Sequence, residues 1–409
     1  MPRQNIICAI AIVLLVHTAM PSPLQQGDVS GNKQPAADFD SLRTTGFKAL
    51  YNLDYETARA KFEQMIKIDP LHPAGYFYLA TNQWASILYS LRRLQIGLYS
   101  SDSFYTGSED KVDPKIDREF RESIDKAIRL ARERVNKNKN DVEGLYYLGA
   151  AYGMKAGYEA SVARQFRPAL RDGSRGVGYH RDIIKIDPNY ADAYLSIGLY
   201  DYIVGTQNWL LRGVLGMLRI FGNRKRGLEE LHKVVAKGKY ASDDARIMLI
   251  ALYQREDNYA EATRLLDDLA ARYPMNYLFS LERAILLGKM GKREESRAAF
   301  DQLLKNERAQ AVADLIHYNF GEALFRDGDF TRAEAEFAAV IRTAKAETTL
   351  VSLAHLQRGQ SLDALGKHQD ALTHYKIVLE RQDVFDSHKL AEKYSKRPYS
   401  PSKPADRRD

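Results

Sequence analysis

Small and aromatic residues return among polar ones in the last 170 residues with a long period of about 34. The clearest copy runs from Asp243 to Asn276. Tyr253 stands in one helix, Ala262 and Leu266 in a second, and Pro274 at the exit. Each type has a reason to be there. Tyr253 can pack under the paired helix, Ala262 lets two backbones approach, and Pro274 cannot continue a helix. A pattern that recurs at this length predicts a stacked array of helix pairs, each burying its face on its neighbours.

The next unit begins near Tyr277, with Ala284, Ser296 and Phe300 in equivalent places. Another begins near Asp314, with Gly321, Leu324, Ala333 and Phe337, and a fourth near Ser352, with Gly359, Leu362, Ala371 and Tyr375. The starts are 34, 37 and 38 residues apart. Gly46, Ala49, Ala58, Phe62 and Pro70 keep the spacing over Phe39–Leu71. Between these ends the copies carry insertions. Leu145, Gly149 and Tyr152 open a unit that closes at Ile183 and Pro188; Tyr194 and Gly198 open one that closes through Gly227, Leu231 and Val234.

This pattern resembles the tetratricopeptide repeat family from Phe39 to about Val384. The resemblance implies an all-α, right-handed superhelical solenoid of about eight helix pairs, with insertions in the middle repeats. Gly198 to Tyr202, Trp209 to Phe221, Gly222 to Gly227 and Gly238 to Ala241 look like a block in exported bacterial tetratricopeptide proteins. Over about forty residues that block is also similar to eukaryotic inclusion-body-clearance and mitochondrial outer-membrane tetratricopeptide proteins. In this family the first helix of each repeat lines an inner groove. The register maps that groove onto Glu143, Tyr146, Met154, Asp192, Tyr202, Asp244, Gln254, Arg255, Lys289, Tyr318, Glu322, Arg326 and Gln360. Rings and charges of both signs suit a peptide or protein segment, with Arg255, Lys289, Glu322 and Arg326 steering it. The subfamily that clamps a C-terminal carboxylate uses Lys and Asn where this chain has residues such as Ile247 and Ala251, which argues against that mode.

Composition refines this picture at the ends. Ile6 to Val16 is an apolar run of eleven residues behind Arg3. It is shorter than the roughly 20 residues of a membrane span and reads as an export signal. His17 makes a poor cleavage context, so an uncleaved anchor is the alternative. Cys8, the only cysteine, lies inside that run, and disulfides therefore play no part in the body. The sequence expectation is a bacterial protein, periplasmic or tethered to face the periplasm or exterior. The segments expected are a signal at 1–20, a linker at 21–38, repeats with insertions at 39–240, a regular array at 241–386, and a helix end with a basic disordered tail at 387–409. The formal charge is +7, and the stretch Lys389–Asp409 alone carries seven basic and three acidic residues. A body so nearly balanced lacks the basic stripe of a nucleic-acid binder.

Three segments interrupt the repeat. Leu98–Lys115 is rich in Ser and reads as a long surface loop, with a lid or partner-binding loop as the functional alternative. Arg164, Arg167, Arg171 and Arg175 form a stripe that Pro168 interrupts, read as a solvated face pairing with Asp172 and Asp182, with an anion or acidic-peptide site as the sharper alternative. Trp209, Leu210 and Leu211 through Phe221, followed by Arg224, Lys225 and Arg226, either fill a gap between repeats or lie on a membrane surface. No phosphate loop, His-Glu-x-x-His or Gly-x-Ser-x-Gly motif occurs. His368 and His374 are six apart and His180 and Asp182 two apart, so neither pair shares a helix face. The reading is a non-enzymatic envelope scaffold without cofactor or metal. Its alternatives are a membrane-peripheral assembly or lipid-associated factor, or a glycan-binding envelope protein.

Overall fold

The computed structural model describes residues 34–96, 112–207, 221–342 and 348–401. Within them lie seventeen α-helices. They are α1 (Gln34–Tyr51), α2 (Tyr55–Ile68), α3 (Pro73–Ser90), α4 (Pro114–Lys137), α5 (Val142–Ser161), α6 (Phe166–Ile186), α7 (Tyr194–Gly205), α8 (Arg224–Lys237), α9 (Ser242–Arg255), α10 (Tyr259–Arg272), α11 (Tyr277–Lys289), α12 (Arg293–Leu304), α13 (Ala313–Arg326), α14 (Phe330–Arg342), α15 (Thr348–Ala364), α16 (His368–Glu380) and α17 (Ser387–Lys396). The first sixteen pack as eight antiparallel pairs, the number expected, and α17 closes on α15 and α16. The architecture is an all-α helix-pair repeat. Among the described residues no helix is long and apolar enough to cross a membrane.

One turn chemistry repeats between the helices of a pair. An amide reaches back five residues to a carbonyl: Asp54 to Ala49 at 2.9 Å, Asn258 to Tyr253 at 2.8 Å, Lys292 to Leu287 at 3.0 Å, Asp329 to Leu324 at 2.9 Å and Lys367 to Leu362 at 2.8 Å. That bond satisfies a carbonyl the helix end would leave open, and it needs a left-handed residue before the amide donor. Gly291, Gly328 and Gly366 supply it at φ of 77, 83 and 77°; Leu53 and Asp257 take the same conformation at 64 and 55°. At the exits, α2, α6 and α10 each end two residues ahead of Pro70, Pro188 and Pro274.

The helices of a pair touch where the pattern places glycine opposite a ring. A Cβ on Gly46 would lie 2.5 Å from the Phe62 ring, on Gly321 2.7 Å from Phe337, and on Gly359 2.5 Å from Tyr375. Phe62, Phe337 and Tyr375 are fully buried there.

The chain divides into two compact units after Asn276, so the Asp243–Asn276 repeat belongs to the first. In that unit α1 comes back against the fifth pair. The Tyr51 hydroxyl bonds Asp244, the Asn276 amide donates to the Tyr51 carbonyl at 2.7 Å, and the Met275 amide donates to Asn52 Oδ1 at 3.1 Å. The Tyr51 and Tyr273 rings are 4.8 Å apart, and the Arg43 guanidinium sits 4.3 Å over Tyr240. Tyr51→Phe removes a buried hydrogen bond to a carboxylate, and a loss of roughly 1–3 kcal/mol is expected. Hydrogen exchange should show α1 losing protection ahead of α5. Unchanged protection of α1 would mean that this closure does not hold it.

In the second unit the described residues after α17, up to 401, rest against the fold, and 402–409 lie outside the described residues. Tyr399 donates its amide to Asp363 Oδ2 at 2.8 Å, and its ring lies 5.4 Å from both Phe325 and Tyr394. An aromatic residue inside a polar, proline-rich stretch found an apolar edge to cover.

Candidate partner-binding face

The second unit gathers most of the expected groove residues that fall in it. Tyr318, Glu322 and Arg326 stand four apart on α13 and so share one face. The Tyr318 hydroxyl donates to Glu322 Oε1 at 3.3 Å, and Gln357 on α15 donates its amide to the same oxygen at 2.9 Å. Arg326 is exposed, and its guanidinium lies over the place a side chain on Gly288 would need, 2.9 Å from that absent Cβ. Lys289 follows Gly288 at the end of α11. Burial pushes the Glu322 carboxyl up from its ordinary range; Tyr318, Arg326, Gln357 and Lys289 pull the other way. Burial and the Glu322 charge raise the Tyr318 hydroxyl well above the usual phenol range. Three successive first helices therefore present two cations, a phenol, a carboxyl and an amide together. Gln357 was not foreseen: it lies three residues before the mapped Gln360, and Gln360 itself is buried.

In the first unit the mapped positions face inward but serve the fold. Tyr146, Met154, Asp192, Tyr202, Asp244 and Gln254 are all buried. The Tyr202 hydroxyl donates to Glu256 at 2.8 Å; Asp192 accepts the amides of Lys239, Tyr240 and Ala241. Glu143 sits 3.0 Å from His72 and 2.6 Å from Arg134. Burial works to raise its pKa, yet His72 and Arg134 together hold it below the ordinary value. Arg255 is half-buried. The fold's own side chains fill these positions, which a repeat register alone does not state. For a partner segment this removes Tyr146, Tyr202 and Asp244 as open contacts.

The interruptions resolve unevenly. Residues 97–111 lie outside the described residues, as do Trp209, Leu210 and Leu211, while Phe221 is exposed. The cations after that insertion are engaged: Arg224 meets Glu256 at 2.5–2.6 Å, Lys225 is 3.8 Å from Glu229, and Arg226 bonds Asp201. Pro168 does not interrupt a helix. It lies in the first turn of α6, where its missing N–H has no intrahelical acceptor to lose. Arg171 and Arg175 pair with Asp172 at 3.0 and 3.1 Å as expected, whereas Asp182 pairs with Lys185 at 2.7 Å. The histidines meet across helix pairs rather than along helices. His374 faces His355 at 2.9 Å, and His317, one repeat earlier, faces Glu336 at 2.6 Å; His368 bonds Asp363 at 2.7 Å. Among the described residues no group of three or more His, Cys, Asp or Glu side chains is placed to hold a metal ion.

Residues 281–347 match the family model described as tetratricopeptide repeat. No curated protein matches the chain. Similar solved structures include a tetratricopeptide repeat protein from Parabacteroides merdae, 14% identical, covering 78% of this chain and 99% of its own, with a TM-score of 0.34. Yeast Tom70 is 11% identical over 88% of each chain at 0.40. A human IFIT1 dimer with m7Gppp-AAAA is 12% identical over 90% of this chain and 88% of its own at 0.43. The chain is an all-α helix-pair repeat protein, and within it residues 281–347 carry the tetratricopeptide match.

Proposed function

We propose that the protein is an interaction scaffold that holds a segment of a partner protein on the first-helix face of its second unit. The observation that supports this is the meeting of Lys289, Tyr318, Glu322, Arg326 and Gln357 from three consecutive helices, with Arg326 exposed at its edge. A guanidinium suits a carboxylate or carbonyl of the incoming segment. Tyr318 and Gln357 offer a surface that is part ring and part amide, and such mixed surfaces anchor segments well. The export signal read at 1–20 makes the cell envelope the proposed setting for that partner.

The test is a cross-linked pull-down of the full chain from its own envelope fraction, read by mass spectrometry. One stoichiometric protein is expected, with its yield reduced at least tenfold by Arg326→Glu and markedly by Tyr318→Phe. Both variants should keep the far-ultraviolet spectrum of the parent. A partner retained equally by both variants would remove this face from the reading, and recovery of polymer or lipid alone would remove the scaffold reading itself.

A further inference from the structure

Two successive repeats of the first unit carry the same groove with different occupants. In each, two second helices flank a first helix: α4 and α6 over α5, then α6 and α8 over α7. The register follows from equivalent contacts. A Cβ on Gly176 would lie 2.6 Å from the Gly149 carbonyl oxygen, and one on Gly227 2.5 Å from that of Gly198. The final caps agree, Asn138 and Asp187 for the leading helix, Asp187 and Gly238 for the trailing one. In this register Arg132, Tyr152, Arg175 and Tyr179 correspond to Arg181, Asp201, Arg226 and Glu230.

In the later groove acids meet the arginines. Arg226 bonds Asp201 and lies 4.0 Å from Glu230, and Arg181 is 3.9 Å from Asp201. In the earlier groove both acids are replaced by tyrosines. Their rings lie 16° from parallel with centroids 6.0 Å apart. The Arg132 and Arg175 guanidiniums sit 5.9 and 5.7 Å from the Tyr152 centroid, and Arg132 donates to the Tyr152 hydroxyl. Among the described residues Arg132 has no carboxylate in ion-pair range. Arg175 has Asp172 at its side, shared with Arg171. Asp182, also on the wall, is held by Lys185. The groove measures about 400 Å³, and nothing lies within 4 Å of where a side chain on Gly178 would begin, which keeps its wall low.

We propose that the groove of Arg132, Tyr152, Arg175 and Tyr179 binds a carboxylate group of a ligand beside the Tyr152 ring, giving its arginines the acid that Asp201 gives those of the following repeat. Two guanidinium forks and a phenol hydroxyl then surround one planar acceptor, as charge-assisted recognition requires. An acidic side chain of a peptide and a free dicarboxylate share this chemistry. The site is independent of the face on the second unit.

Calorimetry on the full chain at low salt tests it, with glutarate, a tetraglutamate peptide and inorganic phosphate as probes. Saturable one-site binding of at least one carboxylate probe is expected, weakened tenfold or more by Arg132→Gln and by Arg175→Gln, which alter exposed side chains. Tyr152→Asp, which supplies the missing acid from within, should abolish it. Tighter binding of tetraglutamate identifies a peptide source, and equal or tighter binding of glutarate a free acid. No saturable binding of either, binding of phosphate alone, or affinity unmoved in the arginine variants would overturn the proposal.

Discussion

Gly227→Val is expected to cost about 3 kcal/mol or more and to lower the urea midpoint of the first unit sharply. At this crossing α7 and α8 approach backbone to backbone. A Cβ on Gly227 would stand 2.5 Å from both the Gly198 carbonyl oxygen and the Tyr202 amide nitrogen. Those atoms belong to a helix and cannot swing aside as a side-chain end would, so the helices must separate and unpack Leu231 and Val234, which are fully buried. The equivalent crossing one repeat earlier provides an internal control. On α6, Gly176 would meet the Gly149 carbonyl at 2.6 Å, but Gly173 would meet only the Ala156 methyl at an ordinary 3.6 Å. Alanine is favoured over glycine inside a helix by about 1 kcal/mol. Gly173→Ala should therefore stabilise, and Gly176→Ala should destabilise because the clash exceeds that gain. Chemical denaturation of the two variants, made three residues apart on one helix, decides the matter. If both shift stability in the same direction, helix propensity governs these positions and the close crossing does not.

These crossings explain why so much of the fold could be read from the chain. Gly46 with Phe62, Gly321 with Phe337 and Gly359 with Tyr375 are local: sixteen residues apart, on two helices joined by a short turn. The turn between them is written in the same stretch, by Gly328 and Gly366 at positive φ. A repeated local pattern therefore states its own contacts. What the pattern cannot state is what lies across the repeat. Tyr51 finds Asp244 193 residues away, and nothing in either neighbourhood names the other. The same closure decides how open the inward positions of the first unit are. Asp244 and Lys289, both mapped to the inner groove, accordingly end in different environments, the first buried and the second half-exposed. Charge behaves likewise. Arg167, Arg171 and Arg175 lie on one helix, with Arg164 ahead of it at positive φ, but the cations that converge, Arg132 and Arg175, come from two helices, and their shared Tyr152 comes from a third. Their missing acid becomes visible only when the next repeat is laid over this one. The histidines teach the same lesson, since spacing along a helix excluded His368 with His374, while the actual neighbour of His374 is His355 on the facing helix.

Among the histidines, His180 should give the steepest acid response of the first unit. Its ring is fully buried, stacked 5.5 Å from Tyr146, with Gly149 leaving space above it. Nε2 lies 3.2 Å from the Tyr146 carbonyl, which can only accept, so Nε2 carries the proton and Nδ1 accepts from the Ser196 hydroxyl at 2.6 Å. The neutral ring is thus satisfied without charge, and burial pulls its pKa down to about 4, with the Tyr146 carbonyl opposing. In the unfolded chain the same ring titrates near 6.5. Between those values the unfolded state binds a proton that the folded state refuses, so stability falls as pH drops from 6.5 toward 4 and is indifferent to this group above 6.5. A gap of that size corresponds to roughly 3 kcal/mol at its limit. Carbon-detected titration of the imidazoles should show a ring that stays neutral to pH 5 and is lost in His180→Gln, beside that of His355, which burial also lowers to about 4. The parent should lose more stability than His180→Gln between pH 7 and pH 5. A His180 midpoint at or above 6 would show that protons reach the ring in the folded state, and the acid limb would then need another source.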